Sequence, residues 1–132
     1  MPTNDPETAV RDFFSAFNEG NVETVLALYE PKAALVAQPG QIAEGTVVLR
    51  AALDWFFSMK PTLTMGKNRL VIAGDLALSV AKWTLMGTGS DGKAIHMEGT
   101  TSDVLRRQAD GRWLFRNRCP EYFDSPTQGS TE

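Results

Sequence analysis

Residues Lys93–Cys119, KAIHMEGTTSDVLRRQADGRWLFRNRC, decide the fold. Two long runs rich in β-branched and aromatic residues flank Ala109-Asp110-Gly111, a short loop with glycine where a left-handed residue is needed. If the loop has three residues, Gln108 pairs with Arg112. That register sets Arg107 opposite Trp113, Leu105 opposite Phe115 and Asp103 opposite Asn117. Side chains alternate along a strand, so Met97, Thr101, Asp103, Leu105, Trp113, Phe115, Asn117 and Cys119 fall on one face. His96, Glu98, Arg106, Arg112, Arg116 and Arg118 fall on the other, which reads as solvated. The first face is apolar near the turn and polar farther along, as expected of a sheet that closes one end of a cavity.

Upstream of this hairpin the strand pattern continues. Thr62–Ile72 and Asp75–Gly87 lack a helical period and are separated by Ala73-Gly74-Asp75, with Gly89-Ser90-Asp91-Gly92 as the next turn. The chain before Thr62 is largely helical. Asp5-Pro6-Glu7 supplies an N-cap, a proline at the first helical position and an acid in the first turn. Val10, Phe13, Phe14 and Phe17 then form one apolar stripe, which Asn18-Glu19-Gly20 terminates. Asn21 caps a second, short helix read through about Tyr29. Lys32–Gln38 is a short strand broken by Pro39-Gly40. After a loop, Gly45-Thr46 opens a third helix with Leu49, Leu53 and Phe56 on one side.

Helices first and a meander afterwards define an α+β class: three N-terminal helices packed on a curved antiparallel sheet. Such a sheet leaves a conical internal pocket between the layers, where ligand sites concentrate. The expected organisation is one domain over 1–124 and a polar, disordered tail over 125–132.

Composition narrows the function. A chain of 132 residues that is 42% hydrophobic fits one core, and a formal charge of −3 gives no electrostatic case for nucleic acid or an anionic membrane surface. The single cysteine, Cys119, excludes an intramolecular disulfide. With neither a signal-peptide pattern nor a membrane-spanning apolar run, the expected location is cytoplasmic. No metal is expected, because there is one histidine and no thiol pair at ligand spacing, and no cofactor, because there is no glycine-rich phosphate loop.

Asp103 is the most informative residue. A carboxyl group on a face shared with Leu105, Trp113 and Phe115 is desolvated, so it is either a pocket acid that donates to a ligand oxygen or a carboxylate held by a structural partner. Asn117, opposite it in this register, is that partner or a second ligand contact. Thr101 shares the face. Gln38 is placed to put an amide at the cavity rim. Trp83 and Trp55 are candidates to line the cavity with Phe17 and to stack on a flat ligand. Trp113 beside Arg107 suggests a structural cation–π pair. His96 and Glu98 are placed to pair on the outer face.

The stretches DPETAVRDFFSAFNEGNVETVLALYEPKAALVAQPG, EGTVVLRAAL, GDLALSVAKWTLMGTGSDG and TSDVLRRQADGRWLFRNRCP together resemble the SnoaL-like and ketosteroid-isomerase-like branch of the nuclear transport factor 2-like superfamily. The resemblance runs from about Asp5 to Pro120 and implies a cystatin-like cone. Steroid isomerases of this kind place a general-base aspartate before the proline that ends the first strand; Gln38 stands there, and it cannot accept a proton near neutral pH. Their first-helix oxyanion tyrosine corresponds to Phe13, and their protonated oxyanion aspartate to Asp103. With two of those positions lost, the resemblance argues against the steroid isomerase mechanism.

Two functions follow as expectations. One is a pocket for a small apolar or cyclic molecule, with isomerase- or lyase-like action on a cyclic carbonyl compound, Asp103 as its acid and no cofactor. The other is a non-catalytic association module. In it two copies pair through the outer sheet face, with its arginines and Glu98, as sheets of this superfamily commonly do.

Overall fold

The computed structural model describes residues 4–38 and 41–123. In chain order the elements are α1 (Pro6–Glu19), α2 (Val22–Leu26), β1 (Tyr29–Gln38), β2 (Gln41–Glu44), α3 (Thr46–Phe57), β3 (Thr62–Ala73), β4 (Leu76–Thr88), β5 (Ala94–Arg107) and β6 (Trp113–Phe123). The strands form one sheet in the order β2-β1-β6-β5-β4-β3. Every neighbouring pair is antiparallel except β1 and β6, which run parallel. The α+β class stands, with the helices against a curved sheet that is mixed at this one junction. Among the described residues no helix is long and apolar enough to cross a membrane. The tail expected to be disordered lies outside the described residues.

Local chemistry explains the helix ends. Asp5 caps α1 by accepting from the Thr8 amide at 3.0 Å and the Thr8 hydroxyl at 2.7 Å. Gly20 closes α1 in the left-handed region, φ 74°, with its N–H on the Phe17 carbonyl. Asn21 caps α2 through the Thr24 amide. That helix ends at Leu26, not near Tyr29 as the sequence suggested. Glu30 precedes proline and is pushed toward extended backbone, and β6 recruits the segment, with the Phe115 amide donating to the Leu28 carbonyl at 2.8 Å. The expected loop after Pro39-Gly40 contains β2, four residues paired back on β1 and too short to carry a periodic signal.

The β5–β6 hairpin turns as read: the Gln108 amide meets the Arg112 carbonyl at 2.7 Å, and Gly111 has φ 90°. Arg107 lies opposite Trp113 and Leu105 opposite Phe115. The register then slips. A bulge sets Val104 opposite Asn117 and Asp103 opposite Arg118, leaving Arg116 as the extra residue. The β1–β6 pairing is irregular at the same level, between Tyr29 and Ala34. Three strands therefore bend together around Arg116. Past the bend the parity of β6 reverses: Arg118 points into the core and Asn117 to solvent.

Ala9, Val10, Phe13, Phe14 and Phe17 of α1, with Leu49 and Leu53 of α3, pack on Leu63, Trp83, Leu85, Leu105 and Phe115 of the sheet. Phe13 makes edge contacts with Phe14, Tyr29 and Phe115. The end of α3 approaches β4 closely. A Cβ on Gly87 would lie 2.8 Å from the Met59 carbonyl oxygen, which already accepts from the Thr88 amide. Backbone cannot yield there cheaply, so Gly87→Ala is expected to cost about 1–3 kcal/mol. Calorimetry should show a melting point several degrees lower, and an unchanged one would refute the close approach.

Candidate functional site

Between the helices and the inner sheet face lies a cavity of about 70 Å³. That is several times the roughly 10–15 Å³ that admits one water, and well under the roughly 300–1,000 Å³ of drug-sized sites. Its walls are mostly apolar: Phe13, Phe17, Leu53, Phe56 and Trp83 among them, with Ala52 at the α3 side. Three lining residues carry polar side-chain atoms, Tyr29, Trp83 and Arg118, and Arg118 is the only charged residue among the described lining.

Arg118 is placed by the bulge and held by rings. Its guanidinium carbon sits 3.8 Å from the Phe13 ring centroid and 5.1 Å from that of Phe115. A cation on two aromatic faces is attracted by their quadrupoles, and more strongly in a desolvated place. Its side chain is only 7% exposed. Behind it stands Asp103, 1% exposed, with Oδ2 at 3.6 Å from Nη2. Thr101 donates its hydroxyl to Asp103 Oδ1 at 2.6 Å, and Nη2 reaches the Thr101 hydroxyl at 3.5 Å. Ser79, fully buried, faces Asp103 from β4 with no partner for its hydroxyl among the described residues.

Burial raises the Asp103 pKa above the ordinary carboxylate value. The Arg118 charge, the Thr101 hydroxyl and the Cys119 amide all pull the other way without cancelling it. Burial likewise pushes the Tyr29 phenol up to about 12; Arg118 lowers it and Asp103 raises it. Tyr29 is thus a neutral donor near neutral pH. An arginine is a permanent cation and donor. The cavity therefore offers hydrogen-bond donors to an oxygen, in a medium where they act strongly.

The residues read from the sequence divide accordingly. Phe17 and Trp83 line the cavity, as does Phe13. Asp103 and Thr101 lie on the inner face as expected, but behind Arg118 and outside the lining. Asn117 is corrected: the bulge turns it to solvent, so it neither pairs with Asp103 nor reaches the cavity. Trp55 is corrected too. It is 60% exposed, because the inward stripe of α3 runs through Leu49, Leu53 and Phe56, and Trp55 falls outside it. Gln38 ends β1 by its backbone, and its side chain lies outside the described residues. Trp113 is buried without Arg107, which turns to Asp75 at 3.0 Å. His96 and Glu98 sit 3.7 Å apart, both half-exposed on the outer face. Among the described residues no group of three or more His, Cys, Asp or Glu could hold a metal ion.

Arg118 and Tyr29 escaped the sequence reading. Helical periodicity carries Tyr29 into the second helix, and unbroken alternation puts Arg118 on the solvated face. One signal did point to Arg118: an acid forced onto an apolar face requires a cation, and Arg118 is one register step from its partner position.

Among solved structures, the fold matches that of a ketosteroid isomerase-like protein from Erwinia carotovora atroseptica, with TM-score 0.76 and 20% identity over 89% of this chain and 93% of that one. A protein from Xanthomonas campestris classed with calcium/calmodulin dependent protein kinase II association domains matches at TM-score 0.78 and 20% identity, covering 92% and 88%. A nuclear transport factor 2-like protein with a cystatin-like fold, from Novosphingobium aromaticivorans, matches at TM-score 0.73 and 15% identity, covering 90% and 80%. At these identities the likeness is one of fold. No curated protein matches the sequence. The profile of the SnoaL-like domain matches residues 10–115, from the α1 stripe through the hairpin to Phe115, and the chain belongs to that family.

Proposed function

We propose that this domain binds a small, mainly apolar molecule in the cavity and polarises one oxygen on it, a carbonyl or its enolate. The observation that carries this reading is the Arg118 guanidinium in an otherwise apolar wall, fixed over Phe13 and backed by Asp103. Cavity size limits the occupant to a short chain or one ring, and a ring requires Phe56 or Leu53 to swing. Arg118 and Tyr29 donate protons to hydrogen bonds and do not accept them near neutral pH. Any isomerase- or lyase-like turnover then rests on oxyanion stabilisation, with substrates acidic enough to need no strong protein base. Asp103 acts through Arg118 in this reading, as a positioning residue.

The test uses 2-cyclohexenone. It is expected to raise the melting temperature of the native protein by mass action. Ala52→Leu, which fills the cavity, is expected to keep the fold and abolish the shift. Hydrogen exchange at the ketone α-carbon, followed by NMR in deuterated water, reports turnover. A shift that survives the filled cavity would place the ligand elsewhere and end this reading.

A second function is compatible with the first and has its own observation. On the outer sheet face Val71, Leu76, Leu78 and Val80 are 63%, 47%, 46% and 36% exposed, and Val71 and Leu78 are direct cross-strand neighbours. Contiguous exposed apolar side chains of this kind mark association surfaces. The occupant we assign is a second copy of the chain, related by a two-fold axis, with this patch at the centre where the arginines and Glu98 were expected. Leu78→Asp is expected to convert a dimer to a monomer by light scattering; a monomeric wild-type protein would overturn the assignment.

A further inference from the structure

Two of the arginine–carboxylate pairs, one on each side of the bend, have opposite characters. Outside the bend, Arg106 grips Glu30 as a closed fork, Nε–Oε2 at 2.7 Å and Nη2–Oε1 at 2.6 Å. Inside, Arg118 approaches Asp103 only to 3.6 Å, and its one side-chain hydrogen bond among the described residues is the 3.5 Å contact to Thr101. A charge-assisted guanidinium–carboxylate bond closes to about 2.7–2.9 Å, and the guanidinium has donors in a planar fork. Asp103 meanwhile takes the Thr101 hydroxyl and the Cys119 amide. Arg118 is therefore a buried fork with most of its donors uncommitted, held still by Phe13 and lining the cavity.

We infer that the cavity takes a small apolar monocarboxylate, its carboxylate on the Arg118 fork and its hydrocarbon end among Phe17, Leu53 and Trp83. This rests on reading the cavity as a small-molecule site and names the class of molecule. Arg118 is the one cation in the described lining and Asp103 already stands behind it, so a phosphate or dicarboxylate would carry still more uncompensated charge into the hollow than a monocarboxylate. Tyr29 adds a neutral donor, which suits an anion.

The experiment compares hexanoate with 2-heptanone, which keeps the chain and replaces the carboxylate by a neutral acetyl group. Binding is read near neutral pH by tryptophan fluorescence and thermal shift. Hexanoate is expected to bind about tenfold more tightly, the scale of one charge-assisted pair. Arg118→Gln is expected to erase that preference. Asp103→Asn, which removes the competing carboxylate without removing Arg118, is expected to tighten hexanoate and to raise its preference over 2-heptanone several-fold. It also keeps the question open to test if the arginine variant does not fold. Equal binding of the two molecules overturns the carboxylate assignment while the small-molecule site survives. Binding of neither removes both. Weaker hexanoate binding in Asp103→Asn also overturns the assignment.

Discussion

Arg118→Met is expected to destabilise the protein by about 3–5 kcal/mol at about pH 8, and by much less at about pH 4. The reason is what the substitution leaves behind. Asp103 is 1% exposed, and Arg118 is the cation that answers it. Without that cation a charged Asp103 stands in a low-dielectric interior with only Thr101 and a backbone amide. Its folded-state pKa, already raised by burial, rises further. A group raised in this way contributes stability that is fully present below its unfolded pKa and lost as pH rises through the folded value. The deficit of the variant should therefore open above the ordinary carboxylate range and level off once pH exceeds the raised folded pKa. Losing the stack on Phe13 adds about 0.5–2 kcal/mol that does not vary with pH. Arg118→Met/Asp103→Asn should recover most of the pH-dependent part, because the buried charge is gone. Denaturant melts of the four species at both pH values give the coupling energy directly. An equal deficit at both pH values would falsify the idea that Arg118 answers a charge on Asp103.

The same pair shows where reading the sequence stops. The Asp103 side chain could be placed inward because Leu105, Phe115 and the turn fixed its parity over five residues of hairpin. Its partner could not, because alternation holds only while the ladder is regular, and one extra residue at Arg116 reverses every side chain beyond it. Nothing in RNRC marks that bulge locally. The partners of the bulged residue lie some eighty residues away in sequence: Arg116 donates to the Lys32 carbonyl at 2.8 Å and approaches Glu30. Phe17 and Trp83 were legible for the opposite reason: helix stripes and strand alternation are local, and no irregularity intervenes. Trp55 failed on a nearer matter. Its aromatic ring suggests a cavity wall, but its position one residue from Phe56 on α3 sets it off the inward stripe. The fold was thus readable from patterns with short range. The charged wall of the cavity was not, because it depends on a bulge whose contacts, with Glu30 and Lys32, are of long range.

That contact is also the second large lever. Glu30→Ala is expected to cost about 2–3 kcal/mol near neutral pH, toward the low end for a buried partner because Arg106 is half exposed. Glu30 is 7% exposed at its side chain and accepts from Arg106 twice and from Gln108 at 2.8 Å, with Arg116 at 3.6 Å. The hydrogen bonds from Arg106, above all, hold its pKa below the usual glutamate value; burial opposes them, and Gln108 and Arg116 assist. A depressed pKa gives stability that is present above the unfolded value and lost as pH falls through the folded one. The deficit of Glu30→Ala should therefore shrink on acidification, as that of Arg118→Met does, but by protonation of Glu30 in the wild type below the ordinary glutamate range rather than of a stranded Asp103 above it. Glu30→Gln, which keeps an acceptor for Gln108 or Arg106, should fall between the variant and the wild type. The consequence reaches the cavity. Glu30 clamps β1, β5 and β6 at the bend that turns Arg118 inward, so loosening it should weaken hexanoate binding several-fold without touching a cavity residue. A variant that loses stability yet binds hexanoate as the wild type does would show that the bulge holds Arg118 on its own, with the clamp serving stability alone.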